Sequence, residues 1–400
     1  MPSGQRQLTP EELRPSEKAD KPHHRKHFLA LDGLRGVAVL LVVLAHATQA
    51  HQHGAQERLL PETFKFNGGW LGVVVFFVLS GFLITHLLLE ERTRTGRISL
   101  TKFYLRRTLR IWPLYFTVLG VYVFVLPLLD AGNFGSIYEA NSLRDYYYLF
   151  AYPFFLQNYL VNPGDVHFWG IRVFWSLAVE EHFYLLWPLV LVALRGRWLV
   201  PSLLGIMVAT FSLRALTLLG LLPKFQGVEH TTHTGLDGLA AGCLVACLYH
   251  WRQSVLKALS QRRWLYLLGW ALLLFLVWAA LKQLPFFPTL PEAEYYRITL
   301  ATLASTVIVA CLVGGAGPTR HILCSRPLAY VGKVSYGMYV LHPIVLWYVA
   351  KAATYLGLLH GAGYLLAITA YCAIVVGVAG LSFKFFEAPI LRFKERFARV

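Results

Sequence analysis

The stretch LALDGLRGVAVLLVVLAHATQA, from Leu29 to Ala50, decides the fold class of this chain. It is long and apolar enough for a helix that crosses a bilayer, which needs about 20 residues. Arg35 and His46 are eleven positions apart, so they return to within about 20° of the same helix face, at a rise of about 16 Å. Ionisable groups are costly inside a bilayer. We therefore expect both side chains to face a wet cavity or polar partners.

The composition of the whole chain is typical of a helical membrane protein. Of its 400 residues, 56% are hydrophobic and 14% are charged, whereas an average soluble domain has about 25% charged residues. We predict an all-α polytopic membrane helical bundle of about ten transmembrane helices. The predicted spans are 29–49, 70–90, 111–129, 173–194, 198–222, 234–250, 264–284, 297–316, 327–350 and 362–386.

The charges of the loops set the predicted orientation. The basic loops 91–110 and 251–263 both face the cytoplasm only if the apolar piece 146–160, which Pro153 interrupts, does not span. We therefore predict that 146–160 is a re-entrant or interfacial segment on the outer side. Both termini are then cytoplasmic in a multi-pass protein of the cell membrane.

Three regions are expected along the chain. Residues 1–27 are polar and rich in charge, which indicates a disordered cytoplasmic tail, and no cleavable signal peptide is visible. Residues 28–390 form the membrane domain, and 391–400 form a basic cytoplasmic tail. No internal repeat indicates a transporter built from inverted halves.

The net charge of +16 comes from basic residues scattered between the spans. This distribution fits cytoplasmic loops that face anionic lipid and argues against nucleic-acid binding. The five cysteines lie in or beside apolar segments, where small buried residues are the simpler interpretation. No metal site is predicted.

Two segments carry clusters of ionisable residues. In FYLRRTLRIWPLYF, Arg106, Arg107 and Arg110 open a helix; they form either a solvated basic collar or a clamp for the phosphates of a nucleotide cofactor. In FWSLAVEEHFYLLWPL, Glu180 and Glu181 lie within an apolar span. We expect at least one of these carboxylates to be functional, and the sequence does not choose between them.

Simpler structural roles compete with these interpretations. Asp32 lies one turn before Arg35 and could neutralise it, while His46 could be a satisfied buried histidine. Ser80 and Gly81 interrupt a bulky run; close helix approach explains them better than a nucleophilic serine.

Seven blocks, in sequence order, resemble the acyltransferase-3 family of integral membrane acyltransferases, the polysaccharide O-acetyltransferase type. LDGLRGVAVLLVVLAH is similar to the family's signature of arginine, ten residues and histidine, and the closing FKFFEAPI has Ala388 where the family usually has a basic residue. Some members carry an extra hydrolase-like domain, which we do not expect here. The other blocks are GVVVFFVLSGFLIT, FYLRRTLRIWPLYF, FWSLAVEEHFYLLWP, LDGLAAG and VSYGMYVLH.

The resemblance implies transfer of an acyl group, usually acetyl, from acetyl-CoA or another acyl-CoA to a hydroxyl. The acceptor is then a cell-envelope glycan, a lipid-linked sugar or a macrolide. We assign His46 and one of Glu180 and Glu181 to catalysis, with the carboxylate orienting the imidazole. Cofactor binding is assigned to Arg35, Arg106, Arg107 and Arg110, and acceptor binding to Asp237, Tyr336 and His342.

Two other classes of function stay open. One is a transporter or flippase of glycan intermediates, whose polar stripe would be a permeation path. The other is a glycan export partner with no chemistry of its own.

Overall fold

The computed structural model describes residues 22–49, 59, 66–126, 149–160, 169–194, 196–222, 230–282, 291–315 and 317–397. These described residues are almost all helical and include no strand. The helices are α1 (Pro22–Gln49), α2 (Gly69–Thr95), α3 (Leu100–Gly120), α4 (Gln157–Leu160), α5 (Trp169–Arg172), α6 (Trp175–Ala193), α7 (Gly196–Leu218), α8 (Thr232–Trp251), α9 (Gln253–Gln261), α10 (Arg263–Lys282), α11 (Pro291–Val313), α12 (Arg320–Leu323), α13 (Arg326–Lys333), α14 (Ser335–Tyr355), α15 (Gly363–Ser382) and α16 (Ala388–Phe397).

Eight helices among the described residues are long and apolar enough to cross a membrane. They are α1, α2, α3 with its π-helical continuation Val121–Val125, α6, α7, α10, α11, and α15 continuing into α16. The prediction of an all-α polytopic membrane bundle is therefore confirmed. The other two predicted spans correspond to α8 and α14, of 20 and 21 residues, which are long enough at about 30 Å but more polar.

Two predicted boundaries differ from the structure. The predicted span 327–350 is divided, because α13 ends at Lys333 and α14 begins at Ser335. At the other end of the chain, α1 already begins at Pro22, so the predicted tail 1–27 is helical in its last six residues. Residues 1–21 lie outside the described part. The predicted basic tail 391–400 belongs to α16 as far as Phe397.

The described part of segment 146–160 is not a spanning helix. A 3-10 turn at Tyr152–Phe154 ends at Phe155, which has a positive φ of 57°, and the short α4 follows. This agrees with the prediction of a re-entrant or interfacial piece.

Helix α2 is the centre of the bundle. Within its most apolar window 78% of the residues are buried, against 22% in α7. It packs most extensively on α8, and the contact is backbone to backbone. A Cβ on Gly81 would overlap the Leu239 carbonyl, and a Cβ on Gly242 would overlap that of Val78. Small residues allow this close approach between membrane helices.

The LDGLRG motif has a similar packing role in α1. A Cβ on Gly33 would overlap the carbonyl of Leu323, and a Cβ on Gly36 would overlap that of Leu328. Both glycines therefore let α1 lie against α12 and α13. The turn between them carries Arg35, so the motif holds this arginine at a fixed place in the bundle.

Candidate active site

A cavity of about 460 Å³ lies between α1, α2, α3, α6 and α14. Along α2 its lining runs from Val73 to Leu87, which are fourteen positions apart, or about 21 Å of helix. The cavity is therefore elongated along α2. Its shape suits an extended molecule better than a compact one.

The cavity is positively charged. Among its lining residues are five cations and two carboxylates: Asp32, Arg35, Arg106, Arg107, Arg110, Glu180 and Lys333. The four arginines assigned from the sequence to cofactor binding thus line one cavity, together with a lysine that the sequence analysis had not assigned.

The arginines differ in how they are held. Arg106 donates from Nη2 to Glu91 Oε2 at 3.0 Å, while its buried Nη1 has no partner. The Arg107 guanidinium lies 5.1 Å from the Tyr184 ring centroid, a cation–π contact. Arg35 has a buried Nε without a hydrogen-bond partner. Unsatisfied buried donors are costly, and an acceptor that entered the cavity could satisfy these two nitrogens.

The structure separates the two adjacent glutamates. Glu180 lines the cavity and accepts a hydrogen bond of 2.8 Å from the Tyr184 hydroxyl, which is also 2.5 Å from Ser80 Oγ. Glu181 points to α3, where Trp112 Nε1 donates to its Oε2 at 3.1 Å, and it does not line the cavity. Of the pair, Glu180 is the carboxylate that a bound ligand would meet.

Tyrosine and serine hydroxyls line the parts of the cavity formed by α6 and α14. Tyr339 OH lies 2.5 Å from Ser176 Oγ and donates to the Val173 carbonyl oxygen at 2.6 Å. Tyr336, assigned to acceptor binding, also lines the cavity and donates to the Ile111 carbonyl oxygen at 2.5 Å. Tyr339 is in addition 6.0 Å, ring to ring, from His342.

His46 and His342 form a pair of imidazoles next to the cavity, of which His342 is buried and His46 is partly exposed. Their ring centroids are 5.0 Å apart. The cavity lining ends at Val73, one turn from Gly69, and a Cβ on Gly69 would lie 3.8 Å from the His46 ring. Arg35 and His46 themselves are about 16 Å apart along α1. The expected separation between cofactor cluster and imidazole is therefore present.

Both imidazoles have a defined tautomer. His46 Nδ1 lies 2.9 Å from the Val42 carbonyl oxygen, and His342 Nδ1 lies 2.7 Å from that of Tyr339. A carbonyl oxygen only accepts, so Nδ1 carries the proton in each ring and Nε2 is the basic nitrogen. The His342 Nε2 is buried without a partner.

A backbone carbonyl oxygen binds one nitrogen of the His46 imidazole. The hydrogen bond that orients the ring goes to the Val42 backbone, while Glu180 and Glu181 are engaged by Tyr184 and Trp112. The contact between His46 and His342 could not be predicted from the sequence either, because His342 comes from the other end of the chain. The role of a glutamate as the group that orients His46 stays a prediction.

Asp237, assigned from the sequence to acceptor binding, lies outside the cavity lining. It forms a buried ion pair with Arg214, and Thr302 Oγ1 donates to the same carboxylate at 3.4 Å. Arg214 was not predicted as a partner, although a charged residue in the middle of an apolar span signals a buried partner. The pair links α7 to α8, which is a structural role.

Comparison with known proteins finds relatives that are named O-acetyltransferases. It is 27% identical over 390 residues to O-acetyltransferase OatA of Staphylococcus aureus (strain NCTC 8325 / PS 47), covering 94% of this chain and 59% of the relative. It is 27% identical over 342 residues to the putative peptidoglycan O-acetyltransferase YrhL of Bacillus subtilis (strain 168), covering 81% of this chain and 50% of the relative.

The chain thus spans between half and about three fifths of the length of these relatives. No solved structure shows significant similarity to it. The family model described as Acyltransferase domain matches residues 28–384, nearly the whole membrane domain, and the chain therefore belongs to the acyltransferase-3 family.

Proposed function

We propose that the protein is an integral membrane O-acetyltransferase that moves an acetyl group from acetyl-CoA to a hydroxyl of a cell-envelope glycan. The observation that carries the proposal is the continuity of the site. A cationic cavity that extends along about 21 Å of α2 ends one helical turn from Gly69, which lies beside the His46 ring and hence beside the His46–His342 pair. The names of the relatives support the acceptor class, since one is called a putative peptidoglycan O-acetyltransferase.

The cations of the cavity suit the phosphates of coenzyme A. Five basic side chains and two carboxylates line it, so an anionic ligand gains favourable electrostatic energy on entering. Arginine forks bind phosphate oxygens with two parallel hydrogen bonds. Arg35 and Arg107 are the best candidates, because Arg106 is already bonded to Glu91.

The length of the cavity suits the pantetheine arm. With the phosphates on the arginines, the arm would run along α2 toward Val73 and bring the thioester carbonyl to the Tyr339 region. Tyr339 lines the cavity and lies next to His342. Either its side chain changes conformation or the acyl group moves past the ring before the thioester reaches His46.

His46 is the proposed catalytic group. Its Nε2 takes the proton of the acceptor hydroxyl as the oxygen attacks the thioester carbonyl, and the imidazolium then returns that proton to the departing CoA thiolate. Transient acylation of His46 is a second route to the same products. His342, 5.0 Å away, is placed to share the positive charge or to contact the acceptor.

The orientation follows from the loop charges. With both termini cytoplasmic, the arginines lie toward the cytoplasm, where acyl-CoA is made, and His46 lies toward the outer face, where envelope glycans are exposed. In this arrangement the protein carries the acetyl group across part of the bilayer within a single site.

Calorimetric titration of acetyl-CoA into the purified protein tests the donor. We expect Arg35→Ala and Arg107→Ala each to weaken binding at least about tenfold, because a charge-assisted hydrogen bond contributes about 1.5–3 kcal/mol. The matched control is Arg94→Ala, since Arg94 is 69% exposed and pairs with Glu90 away from the cavity.

Two results would contradict the donor assignment. One is a wild-type protein that does not bind acetyl-CoA, as expected of a flippase. The other is binding that both cavity variants leave unchanged.

A further inference from the structure

His86 and Glu90 on α2 and His250 on α8 bring three ligand atoms within 4.8 Å of one another. His86 Nδ1 and His250 Nε2 are 2.9 Å apart. We propose that these three side chains form a binding site for a divalent transition-metal ion of the zinc type, which fastens α2 to α8 beside the cofactor cavity.

The donor set fits such an ion. Two imidazole nitrogens and one carboxylate oxygen are ligands that Zn²⁺ takes in proteins, with a fourth position left for water. Imidazole ligands also select zinc and its first-row neighbours over magnesium and calcium, which prefer oxygen. No metal site was predicted from the sequence, because only the fold brings His250 close to the pair on α2.

The positions of the ligands follow from the helix packing. His86 and Glu90 are four residues apart and share one face of α2. Next to them, α2 and α8 are locked backbone to backbone through Gly81 and Gly242. This contact fixes the distance between the two helices, so His250 approaches the pair on α2 in a defined register.

Neighbouring rings orient the His86 imidazole. Phe82 stacks on it with centroids 5.7 Å apart and an angle of 4°, and Tyr249 meets it edge-on at 5.3 Å. His86 is buried, whereas Glu90 and His250 are partly exposed. An ion from solution therefore has access on one side of a site whose innermost ligand is already held.

Glu90 is available as a ligand. Its Oε1 pairs with Arg94 at 2.6 Å, but ion pairs of exposed side chains are weak, and the carboxylate has a second oxygen. The next residue, Glu91, accepts the hydrogen bond from Arg106 in the cavity wall. Metal binding would thus stabilise the end of α2 that positions one of the cavity arginines.

Zinc titration of chelator-treated, purified protein tests the proposal. We expect one equivalent of Zn²⁺ to bind and to raise the Tm. Co²⁺ bound in its place should give the visible absorption of a tetrahedral site. In His250→Gln, which keeps a side chain able to hydrogen-bond His86, binding should weaken at least tenfold and the Tm rise should vanish.

The control is His360→Ala, an exposed histidine whose removal should leave binding and the Tm rise unchanged. The sequence holds other histidines, such as His51 and His53, so dependence on His250 is the deciding observation. Equal zinc stabilisation of wild type and His250→Gln, or no zinc binding to the wild type, would overturn the proposal and leave a simple histidine–histidine hydrogen bond.

Discussion

At the residue scale, the partners of each ionisable side chain distinguish ligand-binding groups from structural ones. Arg35 keeps a buried Nε without a partner inside the cavity, while Arg214, also buried, is neutralised by Asp237. Removing one member of such a buried pair costs about 3–5 kcal/mol. Substitution of Asp237 should therefore destabilise the protein, and loss of activity in such a variant would not by itself identify an acceptor site.

The two adjacent glutamates provide a residue-scale prediction. Glu180→Gln should lower acetyl transfer about tenfold or more, because it weakens a charge-assisted hydrogen bond with Tyr184 in the cavity wall. Glu181→Gln is the matched control, since its partner Trp112 lies outside the cavity, and it should keep nearly full activity. Steady-state transfer of labelled acetyl groups measures both. The reverse order of the two variants would refute the assignment.

The sequence alone predicted part of this residue pattern. The spacing of Arg35 and His46 gave their shared face and their separation, because helical periodicity is local. The pairing of His46 with His342 could not be predicted, since it depends on how α1 and α14 cross. For the same reason the choice of Glu180 over Glu181 had to come from the structure.

At the scale of elements, glycines set how closely the helices approach. Replacement of Gly81 or Gly242 by Ala should destabilise the protein by about 1–3 kcal/mol, because the added Cβ meets a backbone carbonyl that cannot move aside easily. Gly205→Ala is the control, since a Cβ there has open space and alanine is the better helix former.

Thermal unfolding in detergent, followed by circular dichroism, compares these variants. We expect a lower Tm for the two α2–α8 variants and an unchanged or higher Tm for the control. Similar values for all three would mean that the close contact between α2 and α8 is not a source of stability.

The elements show where sequence periodicity is reliable and where it is not. Close approach at Gly81 was predicted correctly from a small residue in a bulky run. The break between α13 and α14 was missed, because Val334 interrupts an apolar pattern without a glycine or proline at that position. Just before this break α13 packs against α1, where a Cβ on Gly332 would overlap the carbonyl of Asp32, and the sequence pattern does not show which helix is the partner.

At the scale of the whole molecule, the loop charges predict that both termini are cytoplasmic. Single cysteines test this in a background in which the five native cysteines are replaced. Thr95→Cys, at the exposed end of α2, should react with an impermeant thiol reagent only in inverted vesicles. Tyr355→Cys, 90% exposed at the end of α14, should react in intact cells. The opposite labelling pattern would invert the proposed path of the acetyl group.

The central claim is that His46 performs the transfer while the arginines hold the donor. The direct measurement is labelled acetyl-CoA turnover in proteoliposomes, together with acetyl-CoA binding, for wild type, His46→Ala and the exposed control His360→Ala. We predict that His46→Ala still binds acetyl-CoA with near wild-type affinity and loses at least about 100-fold in transfer, while the control keeps both. Undiminished transfer by His46→Ala would contradict the account.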